Sequence, residues 1–208
     1  MGPVDFVLHF DRHLLEFVRD YGSWVYAILF TIVFAETGFV VTPFLPGDSL
    51  LFAAGALCAT GELNMTAMLA LLMVAAFSGN AVNYSVGRFI GPRVFQSRYR
   101  LLNKDHLDRA HAFFEQYGGK AVVLGRFVPI VRTFVPFVAG AARMTSASFV
   151  LYNAAGAVGW VALCLGAGWF FGNIPIVKNN FSLVTIGIVF VSILPMLFEF
   201  MSHRRQRR

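Results

Sequence analysis

Apolar residues dominate this chain, and where polar ones interrupt them divides it into segments. Residues 1–21 interleave Phe6, Val7, Phe10, Leu14, Leu15, Phe17 and Val18 with Asp5, Asp11, Arg12, Glu16, Arg19 and Asp20. That period predicts an amphipathic helix lying at a membrane interface. Residues 24–59 form an apolar stretch too long for one crossing and too short for two with a loop. It is broken by Thr42-Pro43 and Pro46-Gly47-Asp48, which predicts a re-entrant hairpin whose irregular tip faces protein or water rather than lipid. Residues 63–87 read as a full span and residues 88–119 as a polar loop. A second interrupted apolar run, 120–143, contains Arg126, Pro129, Arg132 and Pro136 and predicts a second hairpin. Residues 147–171 and 174–201 read as two further spans joined by a short turn, and 202–208 as a basic tail.

Composition turns this pattern into a class. Of the 208 residues, 57% are hydrophobic and only 13% charged, more apolar surface than a soluble core of this length absorbs. The expected fold is an all-α polytopic membrane protein forming one integral domain over 1–208. Charges of both signs in the first twenty residues do not fit the basic start and apolar centre of a cleavable signal peptide, so the first apolar segment is expected to be retained. Cys58 and Cys164 fit neither a metal-site nor a disulfide spacing and read as packing residues.

The chain carries a net charge of +6, and its basic residues are concentrated. Arg88, Arg93, Arg98, Arg100, Lys104 and Arg109 fall in the 88–119 loop, and Arg204, Arg205, Arg207 and Arg208 in the tail. The positive-inside rule puts both in the cytoplasm. With both there, the two hairpins enter from opposite faces and are inverted relative to each other. A weak internal repeat agrees: Phe44, Pro46 and Ala54-Gly55-Ala56 recur as Phe134, Pro136 and Ala139-Gly140-Ala141. Inverted repeats with broken helices meeting near the midplane are a design of secondary transporters.

The charges inside the apolar runs point to chemistry. An Arg or Asp at a bilayer centre costs roughly 2.5 to 3.5 kcal/mol, so Glu36, Asp48, Arg126 and Arg132 left unpaired would cost on the order of 10 kcal/mol. Arg126 and Arg132 flank Pro129, and a guanidinium offers a planar, permanently charged fork suited to phosphate or carboxylate. The bland reading is that each only pairs with Glu36 or Asp48. Burial and a neighbouring guanidinium act on a carboxyl at Glu36 in opposite senses, leaving open whether it exchanges a proton or stays ionised. Asp48 precedes an apolar helical run and suits an N-cap as well as a functional role. Asn80, Asn83, Tyr84 and Arg88 share one helical face and are candidates to line a cavity together with Pro43, Pro46, Gly47, Pro129 and Pro136, or else to glue helices. Tyr152 and Asn153 make a weaker case of the same kind. All five histidines, His9, His13, His106, His111 and His203, lie outside the apolar segments. No Ser or Cys has a base at motif spacing and no metal-ligand cluster is visible, so neither an enzyme nor a cofactor is expected.

Read together, FAETGFVVTPFLPGDSLLFAAGAL, GNAVNYSVGR and GRFVPIVRTFVPFVAGAARM closely resemble the bacterial DedA family, also called VTT-domain or SNARE-associated membrane proteins. The E-T-G, P-x-x-P-G-D and R-F-x-P-x-x-R-T-x-x-P elements appear in order, and the resemblance covers nearly the whole chain. It implies two opposed re-entrant hairpins in the cytoplasmic (inner) membrane. It also implies movement of a polyprenyl phosphate, typically undecaprenyl phosphate, dependent on the proton-motive force. Its functional acidic pair falls on Glu36 and Asp48, and its arginine pair on Arg126 and Arg132. Asn80 departs from the pattern, since many relatives carry an acidic residue there. The expected partners are a lipid phosphate and protons, with no nucleic acid; a homo-oligomer is left open. Two rival readings stay in view: a proton-coupled cation or small-solute antiporter, and a scramblase or non-transporting scaffold.

Overall fold

A computed structural model describes residues 22–39, 47–96 and 104–174, and all regular structure among them is helical. The helices are α1 (Trp24–Gly38), α2 (Gly47–Ala59), α3 (Met65–Gln96), α4 (Lys104–Tyr117), α5 (Ala121–Leu124), α6 (Pro129–Ala141) and α7 (Ser146–Gly172). The stretches expected as an interfacial helix (1–21), as most of a last span (174–201) and as a basic tail (202–208) lie outside the described residues, as do Pro43 and Pro46.

Among the described residues two helices are long and apolar enough to cross a membrane, Met65–Ile90 of α3 and Ser146–Gly172 of α7. Their 26 and 27 residues rise about 40 Å at 1.5 Å each, more than the roughly 30 Å of a hydrocarbon core. The first starts at a cap, and side-chain hydroxyls pair at the start of the second. The Asn64 side-chain oxygen accepts the Ala67 N–H at 2.9 Å, and Tyr26 Oη accepts the Asn64 N–H at 2.8 Å. At α7, Thr145 donates its hydroxyl to Ser148 Oγ at 2.9 Å. By contrast α1, α2 and α6, with 15, 13 and 13 residues, are shorter than the roughly 20 needed for a full crossing.

The expected end of the first full span at Gly87 is not where α3 ends. The helix continues past Arg88 to Gln96, into the segment read as loop, and α4 occupies another part of that loop. Gly87 serves a helix crossing.

The chain divides into two compact units. Among the described residues one comprises 22–29, 47–69 and 162–174, the other 30–39, 70–96 and 104–161. Each is organised by the same reciprocal crossing. In the first, a Cβ on Gly55 of α2 would strike the Leu165 carbonyl of α7, and one on Gly168 would strike the Phe52 carbonyl. In the second, a Cβ on Gly140 of α6 would strike the Tyr84 carbonyl of α3, and one on Gly87 the Phe137 carbonyl. In every case the carbonyl lies three residues before the partner helix's glycine. Close backbone approach through small residues replaces the hydrophobic drive that lipid does not provide. The Ala-Gly-Ala part of the repeat is therefore structural in the register expected, Gly55 matching Gly140, with Phe52 and Phe137 each three residues before the crossing glycine; Phe44 and Pro46 lie outside the described residues.

In the second unit the core gathers Phe134, Val135, Phe137 and Val138 of α6 with Ala110 of α4, Val122 of α5, Tyr84 of α3 and Phe149 of α7. Tyr84 and Phe149 stack at 4.0 Å between centroids. The amphipathic α4 turns Phe113 and Phe114 toward this cluster. Outside it, Val74, Val82, Val86 and Phe89 of α3 and Val150, Leu151 and Val158 of α7 stay exposed, an apolar surface suited to lipid.

Candidate functional site

The second unit places both arginines of the GRFVPIVRT segment beside one break. Arg126 sits in a 3-10 turn, Gly125–Phe127, and Val128 follows with extended angles, φ −112° and ψ 107°. A residue before proline is pushed out of the helical region, and Pro129 then starts α6 with its fixed φ. Arg132 lies on the first turn of α6, its N–H bonded to the Val128 carbonyl at 2.9 Å. Farther along, Pro136 removes one in-helix bond from α6.

Arg126 is 4% exposed and is held through one nitrogen. Its Nη2 donates to the Ala76 carbonyl at 3.1 Å and to Asn153 Oδ1 at 2.7 Å. Asn153 is itself fixed: its Nδ2 donates to the Phe77 carbonyl at 3.0 Å, and its oxygen also accepts Asn80 Nδ2 at 3.1 Å. Arg126 Nε, buried, has no hydrogen-bond partner among the described residues. Gly156 makes room for the stem, since a Cβ there would stand 3.0 Å from Arg126 Cδ and 3.1 Å from Nε.

Arg132 pairs with Glu36, Nη2 to Oε1. Glu36 is 1% exposed, on the last turn of α1. Gly79 brings α1 and α3 together there, because a Cβ would collide with Thr37 Oγ1 and meet the Phe34 carbonyl at 2.8 Å. Asn83 satisfies the helix end by donating to the Thr37 carbonyl at 3.3 Å and also to the Thr133 carbonyl at 2.7 Å. A C-terminal carbonyl of α1 that the helix cannot satisfy is thereby paired.

These groups surround a small cavity lined by Glu36, Thr37, Asn80, Arg126, Arg132, Thr133 and Trp160. The indole of Trp160 lies 6.0 Å from the Arg126 guanidinium carbon and 5.7 Å from that of Arg132, measured to the ring centroid. Among the described residues the lining holds two guanidiniums and one carboxylate.

Of the other expected site residues, Asn80 lines the cavity, while Asn83 bonds two backbones beside it. Tyr84 and Arg88 work at the start of α7: Tyr84 donates to the Met144 carbonyl, and Arg88 donates to Tyr84 Oη at 3.1 Å and to Ser146 Oγ at 2.7 Å. Pro129 opens α6, and Pro136 is buried within it. Gly47 begins α2 in the first unit, where Asp48 is exposed in the first turn. Thr37, Thr133 and Trp160 line the cavity without having been singled out in the sequence. The signal for one of them was present: Asn153, Gly156 and Trp160 fall at i, i+3 and i+7, one face of α7.

The VTT domain family matches residues 45–170. Protein DedA of Escherichia coli K12 is 53% identical over 205 residues, 97% of this chain and 94% of that protein. The chain belongs to the DedA family. An uncharacterized membrane protein of Mycobacterium tuberculosis is 41% identical over 90% of this chain and 84% of its own length. The inner membrane protein YqjA of E. coli K12 is 37% identical over 73% of this chain and 70% of its own. No solved structure matches. Membership of the DedA family, with two helices apolar and long enough to span, makes this an integral membrane protein. Arg126, Arg132, Asn80, Asn153 and Trp160 all lie inside the matched segment.

Proposed function

We propose that this protein translocates a polyprenyl phosphate, of the undecaprenyl phosphate type, across the bacterial cytoplasmic membrane, coupled to the proton-motive force. The observation that carries the reading is that Arg126, buried, and Arg132, partly buried, share one cavity whose lining among the described residues holds one carboxylate, Glu36. A phosphate leaving water loses hydration that only charge-assisted hydrogen bonds replace. Two guanidiniums supply those bonds, and the isoprenoid tail needs no site because it remains in lipid.

Glu36 competes with the phosphate for Arg132. Protonating Glu36 ends that competition, so a proton taken up from one face favours headgroup binding and its release favours headgroup departure. Asp48 is assigned a matching role by the family resemblance. The short helices α1, α2 and α6 suit re-entrant arms, with the 88–119 segment and the C-terminus in the cytoplasm. The site works by binding, without bond-making chemistry, and needs no cofactor.

Reconstitution tests this. Liposomes containing the protein should move a labelled polyprenyl phosphate between leaflets faster with a pH gradient, and Arg126→Ala should abolish the movement. Gradient-independent equilibration points to a scramblase. Ion flux in vesicles free of polyprenyl lipid, without lipid movement, overturns the reading in favour of an antiporter.

A further inference from the structure

Among the described residues Trp160 is the one large apolar side chain in the lining of an otherwise polar and charged cavity, and it is 3% exposed. A tryptophan in a membrane segment ordinarily packs or anchors at an interface. Here its ring stands close to two guanidiniums at once, 6.0 and 5.7 Å from their central carbons. Two like charges brought to one site in a low dielectric repel each other. Glu36 offsets one of them. A second carboxylate could offset the other, but it would occupy the N–H edge of Arg126 as Glu36 occupies that of Arg132, and an incoming anion would have to displace both.

An aromatic face solves the problem differently. The negative face of the indole quadrupole attracts a cation without accepting its hydrogen bonds. Arg126 then keeps donor capacity for a ligand, consistent with its Nε having no partner among the described residues while Nη2 is tied to Asn153 and Ala76. We infer that Trp160 is a positioning residue that holds Arg126 and Arg132 together and aimed into the cavity, so that both guanidiniums engage one phosphate. This rests on the lipid-phosphate reading of the site and adds to it the group that lets two cations coexist before the headgroup arrives.

The test uses the full-length protein in detergent, with farnesyl phosphate as ligand and farnesol as the uncharged control. Trp160→Phe keeps a smaller π face and should bind within a few-fold of the parent, whereas Trp160→Leu should weaken binding about tenfold. In proteoliposomes the Leu variant should raise the KM for transport with little change in kcat, the mark of lost preorganisation. Because Leu could also disturb packing, a second series replaces Trp160 site-specifically with mono-, di- and tetrafluorotryptophan, close in size but progressively weaker in quadrupole. Affinity should fall stepwise along it.

A flat fluorine series with Arg126→Ala still losing the ligand overturns the role of Trp160 and leaves the phosphate site standing. Binding of farnesyl phosphate that neither Arg126→Ala nor the fluorine series affects overturns the site itself.

Discussion

Asn153 Oδ1 accepts Arg126 Nη2 at 2.7 Å while the same amide donates to the Phe77 carbonyl at 3.0 Å, so a neutral side chain on α7 fixes a cation against α3. An amide suits this position because it orients the guanidinium without neutralising it. Asn153→Ala should lower stability by about 2 kcal/mol, the loss expected for a buried hydrogen bond to a charged group, and should raise the KM for lipid phosphate. Asn153→Asp should do something different: it gains an ion pair with Arg126 but loses the donor to the Phe77 carbonyl, so stability should fall less than in Asn153→Ala while transport is poor, because a carboxylate would hold Arg126 against the ligand. Thermal unfolding and transport measured on the two variants separate these outcomes.

Glu36→Gln tests the exchange between carboxylate and ligand at Arg132. The amide keeps the shape and can still accept a hydrogen bond, so insertion and abundance should stay near those of the parent. What should change is coupling: headgroup binding should vary less with pH than in the parent, the residual response being that of the phosphate itself, whose second proton leaves near about pH 6, and a pH gradient should no longer accelerate transport. Equilibrium binding of farnesyl phosphate at pH 5.5 and 8 checks the first point. A pH response as large in the variant as in the parent would remove Glu36 from the coupling step.

Arg132→Lys and Arg126→Lys ask whether the fork or only the charge matters. Lysine preserves the cation but presents a compact ammonium in place of a planar guanidinium. Arg126→Lys should be the more damaging, since one nitrogen must replace Nη2 at Ala76 and Asn153 and also reach the ligand. Both should lower transport at least tenfold with normal membrane insertion. Full transport in both variants would sink forked recognition of the phosphate.

How far these features were legible in the sequence depends on what makes each residue conspicuous. Glu36, Arg126 and Arg132 stand out because a charge in an apolar run is costly wherever it sits, and the structure brings all three to one cavity. Asp48 stands out for the same reason, yet it belongs to the first unit; a charge signal tells that a residue must be accommodated, not with whom. The spacing of Asn80, Asn83, Tyr84 and Arg88 identifies a shared face but not depth, and along α3 that face passes from the cavity at Asn80 to the start of α7 at Arg88. Trp160 escaped because tryptophan in a membrane protein has an ordinary explanation at the interface. The run of basic residues from Arg88 on showed where the apolar stretch ends but not that the helix continues through it, nor that Gly87 is needed where Phe137 crosses.

The glycine crossings give a prediction that does not depend on any transport assay. Gly87 and Gly140 each lie so close to a carbonyl of the facing helix that a methyl group cannot enter without separating α3 from α6. Gly159, on α7, meets nothing within 4 Å where its Cβ would be. All three are helical, so alanine brings each the same backbone benefit of about 0.5 to 1 kcal/mol, and only the contact differs. Gly87→Ala and Gly140→Ala should therefore lower stability by about 1 to 3 kcal/mol net of that benefit, with a fall in Tm in detergent. Gly159→Ala should be neutral or slightly stabilising. Gly55→Ala and Gly168→Ala should behave like the first pair, since they make the matching crossing of α2 with α7. Equal Tm values for Gly87→Ala and Gly159→Ala would mean that α3 and α6 are not held at the distance described, and with it the placement of Arg132 on the first turn of α6 would fail.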